Sequence, residues 1–222
     1  MKKIDFRVRP PYGHYLKFYE DLEGLDASAR GHTGVRAPRS VRERSVDLLI
    51  REMDEAEIEL AVVPGRDEFG VTYEELCALS HLYPGRFILF PSVDPLSGQK
   101  ALDEVRRTVL EGEGRGIAIE SGFTPETCFT VDDPRIFPLY QLLEEHGIPL
   151  MVNYSAHAMK GMPFDPEAPR RLDRVARSFP GLTLIAAHGG WPWTRECIAL
   201  AMIDPNVYLL PDAYGTIAPG SE

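Results

Sequence analysis

The sequence predicts an α/β fold in which parallel strands, each followed by a helix, form a (β/α) barrel. Short apolar runs alternate with longer amphipathic stretches along all 222 residues, which is the pattern of successive β-α-β units. The apolar runs show little polar alternation, as expected for strands covered on both faces. No Gly-x-Gly-x-x-Gly turn follows the first run, which disfavours a dinucleotide-binding sheet. A single domain over residues 1–222 is therefore expected.

The apolar runs predict seven strands. They cover Lys3–Val8, Leu60–Pro64, Phe87–Pro91, Gly116–Glu120, Pro149–Asn153, Leu182–Ala187 and Val207–Leu210. A closed barrel of this class needs eight strands, whereas residues 214–222 have the composition of a polar loop. Because an open barrel exposes unpaired strand edges, we expect a longer natural chain or a neighbouring segment that covers the gap, and association into a homo-oligomer.

The amphipathic stretches predict six helices. They cover Val41–Ala56, Tyr73–Tyr83, Gly98–Glu111, Pro134–His146, Ala168–Phe179 and Pro192–Met202. Ser40 and Thr72 are the expected N-caps of the first two helices, because a hydroxyl accepts from the free N–H groups there. Gly147 fits the left-handed position that follows the fourth helix.

Residues 10–39 are predicted to be irregular, since they combine two consecutive prolines, four glycines and many charges. A structureless stretch of this length is more than a connector needs. We expect it to form a rim or lid segment over the barrel mouth. The alternative is a mobile surface loop that has no functional role.

The composition excludes several classes of protein. The formal charge is −10, from 24 Lys and Arg against 34 Asp and Glu, which argues against non-specific nucleic-acid binding. The chain has three widely spaced cysteines, Cys77, Cys128 and Cys197, and no two of them form a C-x-x-C pair. Their spacing therefore predicts neither a disulfide framework nor a zinc site. No apolar run approaches the roughly 20 residues of a membrane span, and the charged start lacks a signal-peptide core. A cytoplasmic protein without nucleic-acid or membrane partners is expected.

Two arginines follow the first predicted strand, and such barrels carry their active sites at the carboxyl ends of the strands. Alternation would place Asp5, Arg7 and Arg9 on one face and the apolar residues on the other. Two guanidinium groups there would bind a carboxylate or a phosphate. An internal salt bridge between Asp5 and an arginine is the structural alternative.

Two further strand ends carry polar side chains. Glu120 ends the fourth strand, at a position that suits a catalytic acid or a metal ligand, although structural pairing with Arg7 is the favoured interpretation. Asn153 ends the fifth strand, where its amide would donate to an oxyanion.

The end of the sixth strand gives the sharpest signal. His188 directly follows an apolar run, and the next two residues are glycines that allow a tight turn. An imidazole fixed at a strand end suits acid–base catalysis or metal binding. Asp212 follows the seventh strand, within expected reach of His188. Trp191 would form a wall of the pocket, with simple packing as the alternative.

At these residues the sequence resembles the amidohydrolase-2 family. The resemblance rests on the segments IDFRVRPP, LTLIAAHGGWPW and NVYLLPDAYG, and it extends over the whole chain. This group of the metal-dependent hydrolase superfamily includes aminocarboxymuconate-semialdehyde decarboxylase-like and resorcylate decarboxylase-like enzymes and a pyrone-dicarboxylate lactonase. The resemblance implies a (β/α)8 TIM barrel, incomplete here because the eighth strand is missing.

The metal ligands that the resemblance implies match this chain at one position. Arg7 and Arg9 replace the His-x-His of the family's opening, Asn153 replaces another histidine, and His188 matches. Because an arginine has no lone pair to donate and repels a dication, no cofactor is expected. A divalent metal such as zinc, held by His188, Glu120 and Asp212, is the alternative.

Together these inferences favour an amidohydrolase-like hydrolase of an ester, lactone or amide in a small carboxylated substrate, metal-independent or with a weakly held metal. His188 and Asp212 would share acid–base catalysis. The substrate-binding residues would be Arg7, Arg9, Asn153, Glu120 and Trp191. Two alternatives stay open: a lyase that decarboxylates or hydrates an unsaturated or aromatic carboxylic acid, and a non-catalytic anion-binding protein.

Overall fold

A computed structural model describes residues 3–120, 128–155 and 164–212 of the protein. The chain forms two compact units, Met1–Phe90 and Pro91–Glu222. Each unit contains one sheet of parallel strands joined by helices. The α/β class and the seven predicted strands are confirmed, with bounds that shift by no more than two residues at either end.

The first unit is built on a three-stranded parallel sheet. Its strands, in spatial order, are β1 (Lys3–Phe6), β2 (Ile58–Pro64) and β3 (Phe87–Phe90). The helices are a 3-10 helix at Gly13–Tyr19, α1 (Leu22–Thr33), α2 (Arg39–Arg42), α3 (Val46–Glu55), a 3-10 turn at Asp67–Phe69 and α4 (Tyr73–Leu82). Ala61 and Val63 in the central strand β2 are fully buried, which explains the unalternating apolar run.

The second unit is built on a four-stranded parallel sheet. Its strands, in spatial order, are β4 (Ile117–Glu120), β5 (Leu150–Asn153), β6 (Leu184–Ala187) and β7 (Val207–Leu210). The helices are α5 (Gln99–Val105) with a π-helical continuation at Arg106–Leu110, a 3-10 turn at Pro134–Ile136, α6 (Phe137–Glu145), α7 (Ala168–Ser178) and α8 (Thr194–Ile203).

The strand ends of this second sheet are level with one another. The register pairs Glu120 with Asn153, Asn153 with Ala187, and Ala187 with Leu210. The residues that follow these four positions therefore emerge at the same edge of the sheet. His188 is the first residue after β6, and Asp212 is the second after β7.

The predicted helix at Val41–Ala56 is wrong in its extent. The chain forms α2 and α3 instead, because Arg44 adopts a left-handed conformation with φ +52° between them. Ser45, rather than the predicted Ser40, caps α3 and accepts from the Leu48 N–H at 3.3 Å. The other predicted caps are confirmed: Thr72 forms a capping box at α4, and Gly147 has φ +61°.

The prediction that residues 10–39 lack regular structure is also wrong, since they contain the Gly13–Tyr19 3-10 helix and α1. Asp21 caps α1 by accepting from the Gly24 N–H at 2.8 Å, and Gly34, with φ +70°, ends it. The buried rings of Tyr15 and Tyr19 anchor the segment. Its role as a rim or lid stays a prediction. Residues 214–222, predicted to be a loop, lie outside the described residues.

Across residues 3–120, 128–155 and 164–212, no helix is both long enough and apolar enough to span a membrane.

Candidate active site

The second unit brings His188 and Asp212 together at the ends of the adjacent strands β6 and β7. Nδ1 of His188 lies 2.9 Å from Oδ2 and 3.1 Å from Oδ1 of Asp212. The His188 side chain is 7% exposed and that of Asp212 is 11% exposed. Because water screens so buried a pair weakly, the carboxylate stabilises an imidazolium more strongly than it would at the surface. The predicted proximity of the two residues is thus observed.

The hydrogen bond to Asp212 determines which ring nitrogen of His188 can exchange a proton. An ionised carboxylate only accepts, so Nδ1 carries the hydrogen of this bond. In the neutral imidazole the lone pair is then on Nε2. His188 can therefore take a proton and return it through Nε2 while Asp212 holds the ring in place.

A run of three left-handed residues turns the chain at His188. The φ angles are +64° at His188, +59° at Gly189 and +72° at Gly190. A Cβ atom on Gly190 would lie 2.3 Å from Sγ of Cys197, and one on Gly189 would lie 3.3 Å from Cα of Pro211. Both positions favour glycine for their conformation, and Gly190 requires it for space as well. For His188 this conformation costs about 1–2 kcal/mol, which its surroundings must offset.

The residues packed beside this turn are buried and neutral. Cys197 is fully buried, and burial raises the pKa of its thiol to about 12. Tyr154 is also buried, and its hydroxyl donates to the carbonyl of Ala168. Burial raises the pKa of Tyr154 well above its ordinary value. Neither group ionises near neutral pH. Sequence reasoning had not connected Tyr154 or Cys197 with the site.

Asn153 and Glu120 form a second polar pair at the same sheet edge. Nδ2 of Asn153 donates to Oε1 of Glu120 at 3.2 Å, and Asn153 is 7% exposed. The structure thus gives Glu120 a partner on the neighbouring strand β5. The roles of Asn153 and Glu120 in substrate binding stay predictions.

Trp191 directly follows the turn. The backbone N–H of Trp191 donates to the backbone carbonyl of His188 at 3.1 Å, and the residue is half-buried. Trp193, by contrast, is buried in the core and stacks on Phe164 with ring centroids 5.4 Å apart. Hydrophobic packing therefore accounts for Trp193, whereas Trp191 remains the candidate for a pocket wall.

In the first unit, the predicted alternation of Asp5, Arg7 and Arg9 on one face is wrong. Strand β1 ends at Phe6, and Arg7 has φ +80°, outside the extended region. The N–H groups of Arg7 and Val8 both donate to the carbonyl of Val62, at 3.1 and 2.8 Å. A residue with positive φ interrupts the alternation of side chains along a strand. The alternation therefore ends at Phe6 and does not place Arg7 and Arg9 on the same face of the strand as Asp5.

The two predicted arginines are both half-buried, and Arg9 stacks on an aromatic ring. The guanidinium carbon of Arg9 lies 4.6 Å from the ring centroid of Phe18. A third arginine, Arg66, is 3% exposed and lies 5.2 Å from the centroids of both Phe18 and Phe69. Sequence reasoning missed Arg66, although it follows the carboxyl end of β2 by two residues and the strand-end rule covers it.

Comparison with known proteins gives one family and a set of solved structures. The family model described as Amidohydrolase, Amidohydro_2, matches residues 50–220. The uncharacterized TIM-barrel protein Bb4693 from Bordetella bronchiseptica is 33% identical, with a TM-score of 0.85 over 99% of this chain and 78% of that one. No curated protein matches the chain. The parallel strands are therefore those of a (β/α)8 barrel, with seven strands in the part of the chain that the structure describes.

Two more distant structures have known activities. 4-Oxalomesaconate hydratase from Rhodopseudomonas palustris is 19% identical, with a TM-score of 0.62 over 93% of this chain and 73% of that one. 5-Carboxyvanillate decarboxylase from Novosphingobium aromaticivorans is 18% identical, with a TM-score of 0.60 over 91% and 69%. The latter was solved with manganese and 4-hydroxy-3-methoxy-5-nitrobenzoic acid. At these identities the likeness establishes the fold alone.

The described part of the chain shows no group of side chains for a metal like the manganese of that decarboxylase. Within the described ranges, no three or more His, Cys, Asp or Glu side chains are grouped so that they would hold an ion. The alternative ligand set of His188, Glu120 and Asp212 stays a prediction.

Proposed function

Because the chain belongs to the amidohydrolase-2 family, we propose that it is a lyase that decarboxylates or hydrates an unsaturated or aromatic carboxylic acid. The family is one of enzymes, and two of the similar structures are a hydratase and a decarboxylase. These likenesses favour the lyase alternative over the hydrolase predicted from the sequence. The observation that carries the proposal is the buried pair of His188 and Asp212.

Decarboxylation needs one proton at the carbon that loses its carboxylate. Nε2 of the His188 imidazolium donates this proton, and electrons of the substrate π-system form the new C–H bond. The C–C bond to the carboxylate then breaks, its electron pair restores the π-system, and carbon dioxide leaves. His188 regains its proton from water. Asp212 stabilises the imidazolium before the transfer and keeps Nε2 as the exchanging atom.

Hydration uses the same pair with the proton moving first in the opposite direction. Neutral His188 accepts a proton from water as the oxygen adds to a carbon–carbon double bond conjugated with the carboxylate. The resulting imidazolium then protonates the neighbouring carbon, so the sum is the addition of one water molecule. Both reactions need a single side chain that exchanges one proton per turnover, which is what the pair provides.

In the first unit, Arg7 and Arg9 are proposed binding residues for a carboxylate. A guanidinium group recognises a carboxylate with two parallel hydrogen bonds. The ring of Phe18 supports Arg9 from one face, which reduces the rotamer entropy lost on binding.

Product analysis tests the proposal. The purified protein is incubated with a panel of aromatic and conjugated carboxylic acids, and released carbon dioxide and the loss of substrate ultraviolet absorbance are measured together. We expect one acid to lose carbon dioxide or to gain water, and His188→Gln to abolish that turnover. Hydrolysis of esters or lactones, without turnover of any of these acids, would overturn the lyase assignment in favour of a hydrolase.

A matched control separates chemistry from folding. Gly31 lies in α1, and a Cβ atom added there meets nothing within 4 Å. Gly31→Ala should therefore retain full turnover while His188→Gln loses it, provided that both variants show the thermal unfolding of a folded protein.

A further inference from the structure

The final approach of His188 to Asp212 takes place beyond the paired part of their strands. The register of β6 and β7 places Ala187 beside Leu210, and both members of the pair follow these residues. Each has a left-handed backbone, with φ +64° at His188 and +43° at Asp212, so neither continues the extended path of its strand. The 2.9 Å between Nδ1 of His188 and Oδ2 of Asp212 therefore depends on contacts past the strand ends.

Gly189 and Pro211 supply such a contact. Gly189 directly follows His188, and Pro211 directly precedes Asp212, so one peptide unit links each of them to a member of the pair. A Cβ atom on Gly189 would lie 3.3 Å from Cα, 3.6 Å from Cβ and 3.9 Å from the backbone N of Pro211. The backbone of Gly189 thus packs so closely against Pro211 that an added methyl group would displace its neighbour by a few tenths of an ångström.

On its other side, the turn after His188 is anchored to α8. A Cβ atom on Gly190 would overlap Sγ of Cys197, which is fully buried in that helix. The N–H of Trp193 donates to the carbonyl of Gly190 at 2.8 Å, and the N–H of Cys197 donates to the carbonyl of Trp193 at 2.9 Å. Because close packing and hydrogen bonds hold Gly190 to the core, the turn forms a firm surface for Pro211.

The chemistry of proline suits Pro211 to hold the chain in front of Asp212. Its ring fixes its own φ at about −65° and restricts the residue before it to extended conformations. That residue, Leu210, is the last of β7, so Pro211 keeps the strand extended to its end. Pro211 is exposed, and core packing therefore does little to fix it. Its ring and its contact with Gly189 limit its movement instead.

We propose that Pro211 is a positioning residue: through its contact with Gly189 it places the carboxylate of Asp212 at hydrogen-bond distance from Nδ1 of His188. The inference rests on the proposed function, in which this hydrogen bond directs proton transfer through Nε2. Proton transfer depends steeply on geometry, so a small displacement of Asp212 lowers the rate although every reacting group is still present.

Two substitutions displace Asp212 without changing it or His188. Pro211→Ala keeps Cα and Cβ but frees the backbone dihedral that the ring fixes. Gly189→Ala introduces the Cβ atom 3.3 Å from Cα of Pro211, and the exposed proline moves away from it. In both variants we expect the imidazole N–H of Nδ1, observed by NMR, to exchange with solvent at least about 10-fold faster than in the wild type, because the bond is broken in a larger fraction of molecules.

Each substitution has a control of the same kind elsewhere in the second unit. Gly147 has φ +61°, close to the +59° of Gly189, but a Cβ atom there meets nothing within 4 Å. Gly147→Ala therefore reproduces the backbone strain without the contact. Pro205 is exposed in the turn before β7, at the end of that strand away from Asp212, so Pro205→Ala reproduces the loss of a proline. Both controls should leave the exchange rate and the turnover unchanged.

Steady-state kinetics on a substrate found by product analysis give a second readout. We expect Pro211→Ala and Gly189→Ala to lower kcat by about 10-fold, since proton transfer is impaired. KM should stay within about 2-fold of the wild type, because the substitutions leave substrate binding intact. Pro211→Ala changes an exposed residue, so it carries the test if Gly189→Ala does not fold.

Exchange rates in Pro211→Ala and Gly189→Ala that equal those of their controls would overturn the inference. A rise in KM with unchanged kcat would overturn it as well. Because exchange is measured without a substrate, the inference and the proposed function fail separately. Faster exchange in a protein that turns over none of the acids would remove the proposed function and keep the positioning role. Turnover that requires His188 but is unaffected by either substitution would remove the positioning role alone.

Discussion

Nδ1 of His188 lies 2.9 Å from Oδ2 of Asp212, and both residues have a left-handed backbone, with φ angles of +64° and +43°. Few residues other than glycine adopt this conformation, because Cβ crowds the following carbonyl. Such conformations are retained where the surrounding structure enforces them, and they concentrate at functional sites. The left-handed backbone and the buried hydrogen bond thus point to the same two residues.

The bond between His188 and Asp212 should be visible by NMR. Because Nδ1 carries the shared hydrogen, we expect a downfield imidazole N–H resonance that is protected from exchange with solvent. Asp212→Asn should abolish this resonance, since an amide cannot stabilise the ring as a carboxylate does. A resonance that is the same in both proteins would contradict the assignment of Nδ1 as the donor.

Gly190→Ala should destabilise the protein by about 2–4 kcal/mol. The new Cβ atom would lie 2.3 Å from Sγ of Cys197, at a residue with φ +72°, so both overpacking and backbone strain contribute. Gly31→Ala is the control; in helix α1, with open space around the new methyl group, it should stabilise by about 0.5–1 kcal/mol. Chemical denaturation of both variants measures the difference, and similar midpoints would contradict the packing described here.

Stability should fall in alkaline solution because of the buried thiol of Cys197. Burial raises its pKa from 9.0 to about 12, so the folded protein favours the neutral form. The stability that depends on this thiol is complete below pH 9 and is lost as the pH rises toward 12, by up to about 1.4 kcal/mol per pH unit. Denaturation midpoints between pH 8 and 11 should fall less steeply for Cys197→Ala than for the wild type. Parallel curves would show that the thiol does not titrate in this way.

Acid stability should depend on Asp132, which accepts hydrogen bonds from Arg171 at 3.2 Å and from Arg174 at 3.0 Å. Burial raises the pKa of Asp132, but hydrogen bonds from Arg174, Thr130 and Arg171 outweigh it and hold the pKa below its ordinary value of 3.8. Its contribution is therefore complete above pH 3.8 and is lost as the pH falls through the lowered pKa.

Asp132→Asn should consequently cost about 1 kcal/mol at pH 7, a value reduced by partial screening, and the difference from the wild type should shrink below pH 3.8. Asp103→Asn, in an exposed pair with Arg106, should change stability by less than about 0.5 kcal/mol. Thermal unfolding at pH 3 and pH 7 measures both variants. An Asp132→Asn effect no larger than that of Asp103→Asn would show that the network is not stabilising.

The sequence predicted the strands well for a physical reason. Strands such as Leu184–Ala187 are buried on both faces, and burial alone requires an unbroken apolar run. The strand-end rule then led to His188 and Asp212. Their approach across β6 and β7 follows from the register, which places Ala187 beside Leu210.

Other features depend on single backbone conformations that sequence patterns do not specify. Arg44 and Arg7 have positive φ angles, which break a predicted helix and end a predicted strand, yet arginine has no preference for that region. Arg66 was overlooked because an arginine that follows a glycine and precedes two acidic residues has the sequence context of an exposed loop. Its burial comes from Phe18 and Phe69, and Phe18 is far away in the sequence.

The kinetics of a double-mutant cycle test the central claim that His188 and Asp212 act as one acid–base unit. On a substrate found by product analysis, kcat/KM is measured for the wild type, His188→Gln, Asp212→Asn and the double variant. We predict a loss of about 10³-fold for His188→Gln and no further loss in the double variant, because Asp212 acts through the imidazole. A His188→Gln protein that retains kcat/KM within 10-fold of the wild type, or single losses that multiply in the double variant, would contradict the account.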